Sequence, residues 1–402
     1  MEDISSEAQT TLSFADYERR KKVLSLAAHE YTHFVDATSS LWGLQHLRYI
    51  NACGVLDLRD ETKFYVLKES HDYMRSIRLP NYYTTIDRKI PADRPWRSFV
   101  TSGILFSKEG KLTDHPVLFV NFLNADKRRI VRSPLSTVSL LEASAMAKEI
   151  EVRVGLVKRL SPDERIVEER QMQDELLSYL YDPNITEYSA CFHLLANTQN
   201  EKDIGLVSRC TGILARTVLN APTIAFNTAA KNIAAYARAM NLAIQDGEVE
   251  RIRLALEKNS RGALFFLIVV LLPQNILRDL LTFMRGLEET LKKIGLSFEK
   301  LRRAAFQEAR DLHNELSQSS LHPIKELSDC GYKNFAQIFP YGLNYSLDKI
   351  SLPPAVHGDD QMTKYAFNPS DENLLAKFEL DAAYDALVQC QLNAENFAEA
   401  CI

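Results

Sequence analysis

Two histidines four residues apart, with a glutamate beside the first, form the segment His29-Glu30-Tyr31-Thr32-His33. On a helix, residues at i and i+4 lie one above the other, so both imidazoles can reach a single metal ion. The carboxylate next to the first histidine then faces the open coordination position. There it can take a proton from a water whose pKa the metal has lowered toward 7. A polarised carbonyl, a nucleophilic water and a carboxylate base together make amide hydrolysis feasible. The sequence therefore points to His29 and His33 as metal ligands and to Glu30 as the general base.

The segment Leu26-Ala-Ala-His-Glu-Tyr-Thr-His-Phe34 resembles the active-site helix of zinc metallopeptidases of the zincin type. The resemblance covers only these residues and points to no subfamily. It implies a zinc cofactor and a peptide or protein substrate. A catalytic zinc takes three protein ligands and leaves one position open. A third histidine in the metzincin pattern would need Gly at 36 and His at 39, where the chain has Asp36 and Ser39. Asp36 itself stands two turns from His29, roughly 10 Å along an unbroken helix, and reads as a supporting or helix-end carboxylate. Zincins of the glutamate type draw the third ligand from a second helix in which Glu is followed by small residues. Leu141-Glu142-Ala-Ser-Ala145 is similar to that pattern, and Glu142 interrupts an apolar run where an unpaired carboxylate is costly. Glu142 is the expected third ligand, with Glu149 and Glu151 as fallbacks. The long separation between His33 and Glu142 departs from compact members of the class. It would have to hold the sheet as an insertion.

Zincins also use a Tyr, His or Arg to stabilise the oxyanion. Tyr179, Tyr181, Tyr188, His193, Tyr82 and Tyr83 are candidates, although most of the 16 tyrosines must serve packing. His46, His71, His115, His313, His322 and His357 read as surface or packing residues. Lys127-Arg128-Arg129 and Arg302-Arg303 read as solvated faces. No Gly-rich phosphate loop is present.

The elements that must position these groups are mostly helical. A first helix is expected after Ser13 and runs through the metal motif to about Thr38, and a second passes through Leu41 to Leu47. Thr62–Ile77 reads as an amphipathic helix, and the stretch from Pro80 to Pro95 as irregular. Ser98–Ser107, Val117–Leu123 and Arg128–Val131 are rich in β-branched and aromatic residues and form the one expected sheet. By the resemblance, Val117–Leu123 or its neighbour would pair with an extended substrate. Ser133-Pro134 then opens a helix from about Leu135 to Leu160. Ser161-Pro-Asp-Glu164 and Asn184-Ile-Thr-Glu187 open two more. Further helices are expected near 202–218, 222–246, 248–258, 262–272, 275–294, 297–317 and 371–399, with 318–370 less regular. The expected fold is mainly α with a small antiparallel sheet: a zincin-like domain over 1–183 and a helical domain over 184–402 that covers or shapes the cleft.

Composition agrees with this class. The 402 residues include only 14 Gly and 14 Pro, which disfavours turn-dense all-β and collagen-like folds. A formal net charge of −5 makes no global case for nucleic acid as a partner. The six cysteines form no C-x-x-C pair and read as reduced, buried thiols of a cytosolic protein. The acidic N-terminus is unlike a signal peptide. The longest apolar run, Ala263–Leu272, is too short to span a bilayer and reads as a core helix, so no membrane partner is expected. The oligomeric state stays open. The expected function is a cytoplasmic zinc metallopeptidase. The alternatives are metal-assisted hydrolysis of a non-peptide substrate, or a helical scaffold or regulatory protein with a structural or vestigial metal site.

Overall fold

The computed structural model describes residues 11–54, 60–107, 110–239, 246–339, 345–353, 355–356, 362–363 and 380–400. The chain is mainly α with one small four-stranded antiparallel sheet. Helix α1 (Phe14–Ser39) starts where the Ser13 hydroxyl accepts from the Asp16 N–H at 3.2 Å. Ser13 is thus the N-cap of the helix expected to begin after it. After Ser40 the chain restarts as α2 (Leu41–Gly54), followed by α3 (Phe64–Ile77).

The sheet comprises β1 (Thr85–Ile86), β2 (Arg97–Phe106), β3 (Leu112–Leu123) and β4 (Arg129–Pro134), in the order β1-β4-β3-β2. β3 is an inner strand, paired with β2 from Arg97 to Phe106 and with β4 from Arg129 to Pro134. Its residues Val117 to Phe122 are buried on both faces. Leu118, Val120 and Phe122 join the main core, whereas Val117 and Phe119 pack on Leu79 and Tyr83. Ser133-Pro134, expected to open a helix, instead ends β4.

Helix α4 (Thr137–Val157) begins at Ser136, whose hydroxyl accepts from the Ser139 N–H. It is followed by α5 (Pro162–Leu180), α6 (Thr186–Gln199), α7 (Ile204–Leu219), α8 (Thr223–Ala239) and α9 (Asp246–Glu257). Then come α10 (Arg261–Leu271), α11 (Leu280–Lys293), α12 (Phe298–Leu316), α13 (His322–Ile338) and α14 (Leu380–Ala400). The start signal at Ser161 is used as read, with the Glu164 carboxylate accepting from the Ser161 N–H and hydroxyl. The expected helix at 275–294 begins later, at Leu280, and residues 371–379 lie outside the described residues.

The stretch 318–370, read as less regular, holds the 17-residue helix α13. Pro323 stands in its first turn, where the missing N–H would have had no intrahelical partner, so it does not break the helix. The largest cluster of buried apolar side chains runs from Trp42 to Leu301 and so crosses residue 183 without a break. Helix α10, the apolar run of the sequence, lies inside it with Ala263, Phe265 and Val269 fully buried. Among the described residues, no helix is long and apolar enough to cross a membrane.

Candidate metal centre

Helix α1 packs on α2, α4 and α13, and α4 lies between α1 and α7. Small residues allow these approaches. Ala143, Ser144 and Ala145 of α4 are all buried, and a Cβ on Gly212 of α7 would stand 2.5 Å from the Ala147 Cβ. On the far face of α1, Ala28, Tyr31 and Val35 pack against Ile338, Tyr345, Leu347, Ile350 and Leu352. The Tyr31 hydroxyl donates to the Pro353 carbonyl at 2.9 Å. A Cβ on Gly331 of α13 would stand 2.0 Å from the Thr38 carbonyl oxygen, so only glycine lets α13 lie this close. The metal-motif helix is thus fixed from both sides, and His29 and His33 face α4.

There His29, His33 and Glu142 offer three ligand atoms within 4.8 Å of one another, a group that could hold a metal ion. Glu142 Oε2 lies 3.4 Å from His29 Nε2 and 3.4 Å from His33 Nε2. Donors bound tetrahedrally at about 2.1 Å stand roughly 3.4 Å apart, so both edges fit a shared ion. Glu142 Oε2 is also buried with no hydrogen-bond partner among the described residues, so its two close nitrogens do not satisfy it. A metal ion would.

Glu149, read from the sequence as a fallback ligand, has another place. It stands two turns after Glu142 on α4 and meets the opposite side of the same imidazole, with its Oε2 3.1 Å from His29 Nδ1. With the proton on Nδ1, His29 donates to Glu149 and turns its Nε2 lone pair toward Glu142 and His33. Such an outer carboxylate fixes the tautomer and raises ligand basicity. Glu151 is turned away and pairs with Lys148 at 3.0 Å.

Without metal, the group is strongly polarised. Burial disfavours a charged His29, but Glu142 and Glu149 outweigh it and raise the imidazole to about 9. Burial likewise opposes ionised Glu142, and the two histidines overcome it, lowering the carboxyl to about 2. Asp36 does not join the ligand atoms. It is 2% exposed, and burial pushes its carboxyl up to about 6 against the opposing pull of Arg216, Ser144 and His33.

Glu30 is exposed and borders a groove of about 370 Å³ formed by α1, α4 and α5, with Lys21, Leu26, His29, Glu149 and Arg153 among its walls. The lining residues all precede residue 183; α13 backs α1 from the opposite face. Tyr179 of α5 is half-buried, and after burial itself it is Glu142 and Glu149 that push its phenol up, so it stays a donor. Tyr188 stands close enough to Tyr179 to act on it, and the remaining candidates for that role serve packing or lie elsewhere. His193 is buried, stacks on Trp96 and donates from Nε2 to the Leu180 carbonyl at 2.7 Å. Tyr181 packs edge-on to Trp96, the Tyr83 hydroxyl accepts from the Phe106 N–H, and Tyr82 is exposed.

The sheet does not flank the metal helix. β2, β3 and β4 pack chiefly on α6, α9 and α10, and β3 is paired with β2 over Val117–Leu123 and with β4 over Phe119–Leu123. Over Phe119–Leu123 that strand has no edge to offer a substrate, whereas its neighbour β2 is an outer strand of the sheet. Of the remaining histidines, His46 stacks on Trp42, His313 on Tyr332, and His357 lies outside the described residues. Five cysteines are free and buried, and Cys401 lies outside the described residues. No family model matches this chain, and neither a curated protein nor a solved structure matches it significantly.

Proposed function

We propose that the chain is a zinc-dependent hydrolase that cuts an amide bond of a peptide or protein. The observation that carries this reading is the meeting of two imidazole nitrogens and one carboxylate oxygen, with Glu30 beside the first histidine at an open groove. Two nitrogens and one oxygen in that spacing suit zinc and leave a position for water. Zinc bound there would lower the pKa of a coordinated water and polarise the scissile carbonyl. Glu30 then accepts the proton of the attacking water and returns it to the leaving nitrogen. Tyr179, kept protonated by burial and by its carboxylate neighbours, donates to the developing oxyanion. Glu149 holds the His29 ring in register.

The position of the sheet favours a second reading within the same chemistry. Among the described residues no strand packs extensively on α1, so main-chain pairing with an extended peptide has no support there, and a non-peptide amide or ester would need none.

The test is hydrolysis by the zinc-loaded chain, measured on a mixed peptide library and on a panel of small amides and esters. Glu30→Gln keeps shape and hydrogen bonding but removes the base. It should keep its zinc and lose activity by about 10²- to 10⁴-fold. Cleavage confined to the small amides and esters would replace the peptidase reading with the second one. Equal activity in Glu30→Gln, or none in the zinc-loaded wild type, would leave a structural metal site on a helical scaffold.

A further inference from the structure

A second polar cavity, of about 490 Å³, lies apart from the metal group, where α2, α3, α10 and α12 meet the start of α4. Arg261, the first residue of α10, forms part of its wall and is only 5% exposed. Its Nη2 donates to Gln45 Oε1 at 2.9 Å, and its guanidinium carbon lies 5.6 Å from the Phe226 ring centre. Its Nε is buried without a hydrogen-bond partner, and no carboxylate among the described residues forms an ion pair with it. A buried guanidinium costs several kcal/mol unless an anion compensates it. Glu308 faces the same cavity, but its carboxylate accepts from the Thr223 N–H at 2.9 and 3.2 Å and from the Thr223 hydroxyl.

The walls carry opposite signs. Glu308, Asp311 and Glu315 line one side at i, i+3 and i+7 of α12, which places them on a single helix face. Arg261 lies close enough to Glu308 for each to act on the other's charge, and Arg48 and the rings of Tyr49 and Tyr73, stacked with centres 4.0 Å apart, also line the cavity. Lys258 at the rim is engaged by Asp114 at 2.5 Å. We infer that this cavity binds a small zwitterion of the α-amino-acid type. The ligand carboxylate would complete the fork of Arg261, and its ammonium group would face Glu308 and Asp311. The volume lies within the range of ordinary small-ligand pockets. The inference does not depend on the metal centre.

The experiment is calorimetry and thermal shift on the full chain with individual protein amino acids, and with acetate and methylammonium as half-ligands. At least one amino acid should bind and raise the melting temperature, and each half-ligand should bind at least about tenfold more weakly. Arg261→Gln should weaken binding about 10- to 100-fold, the value of one charged hydrogen-bonded contact. Ser76→Trp blocks the cavity from its exposed rim, and should abolish binding while leaving metal uptake and the unliganded melting temperature near wild type. If Arg261→Gln fails to fold, Glu308→Gln decides: it should weaken the amino acid but not acetate. The proposal is overturned if no amino acid binds the wild-type chain up to about 10 mM, beyond the weak end of ordinary affinities. It is equally overturned if acetate binds as tightly as the best amino acid, or if binding survives Ser76→Trp unchanged.

Discussion

At the scale of residues, the two nitrogens of His29 divide the work between two carboxylates of one helix. Glu142 and Glu149 stand seven residues apart, two turns of α4, and each meets a different edge of the ring. The histidine pair and Glu142 were legible in the sequence because their signal is local: i, i+4 spacing, a carboxylate in an apolar run, and small residues after it. The role of Glu149 was not, because it depends on how far α4 reaches along α1, which no local pattern states. The outer position has a measurable consequence. Glu149→Ala should lower metal affinity about 10- to 100-fold without removing a ligand. Glu149→Gln, which keeps an acceptor for the Nδ1 proton, should lose less. Metal competition against a chromophoric chelator measures both, and equal affinity in Glu149→Ala and wild type would return Glu149 to the surface.

At the scale of elements, the site depends on α1 being held between α4 and α13. Caps and start signals at Ser13 and Ser161 set helix ends as the sequence read them, since a cap is a contact between neighbours in the chain. The element missed was α13, which lies in the stretch 318–370 expected to be less regular. Its support comes from long-range packing of Ile324, Leu327 and Phe335. Gly331 is the tightest point of that packing. Gly331→Ala would drive a methyl group against the Thr38 carbonyl and should destabilise the chain by about 1–3 kcal/mol, the usual cost of overpacking. Denaturant unfolding followed by circular dichroism gives the number. A neutral result would mean that α13 does not seat on α1 as closely as described. Metal affinity should fall with stability, because the displaced backbone, Thr38, lies in the last turns of the ligand helix.

At the scale of the whole molecule, the mainly helical fold with a small antiparallel sheet was legible from composition and periodicity. The location of the sheet on α6, α9 and α10, away from the metal helix, was not. That placement is decided by which apolar faces meet, and the faces of Val117–Phe122 are buried on both sides. Burial on this scale also sets the response to acid. His46 and His193 are both lowered to about 4 by burial, so the unfolded chain binds their protons first as pH falls below about 6.5. Their contribution to stability is complete above that value and is lost toward pH 4. Each should cost about 2 kcal/mol between pH 7 and pH 5. Asp36 acts in the opposite sense, since its raised carboxyl favours the folded state as pH falls through 6. His29, raised by its two carboxylates against burial, acts in the same sense as Asp36, so the part due to buried histidine is read by comparing unfolding titrations of the metal-free wild type and a histidine variant. His193→Gln should remove about 2 kcal/mol of that pH dependence, and an unchanged slope would contradict the burial of His193. The claim on which the rest stands is the metal centre, and its most direct test is a zinc titration of the metal-free chain beside His29→Ala, His33→Ala and Glu142→Ala. The wild type should take up about one equivalent, and each variant should bind at least about 100-fold more weakly, as expected for loss of one of three ligands. A wild-type chain that takes up no zinc, or a Glu142→Ala chain that binds it as tightly as wild type, would contradict the account.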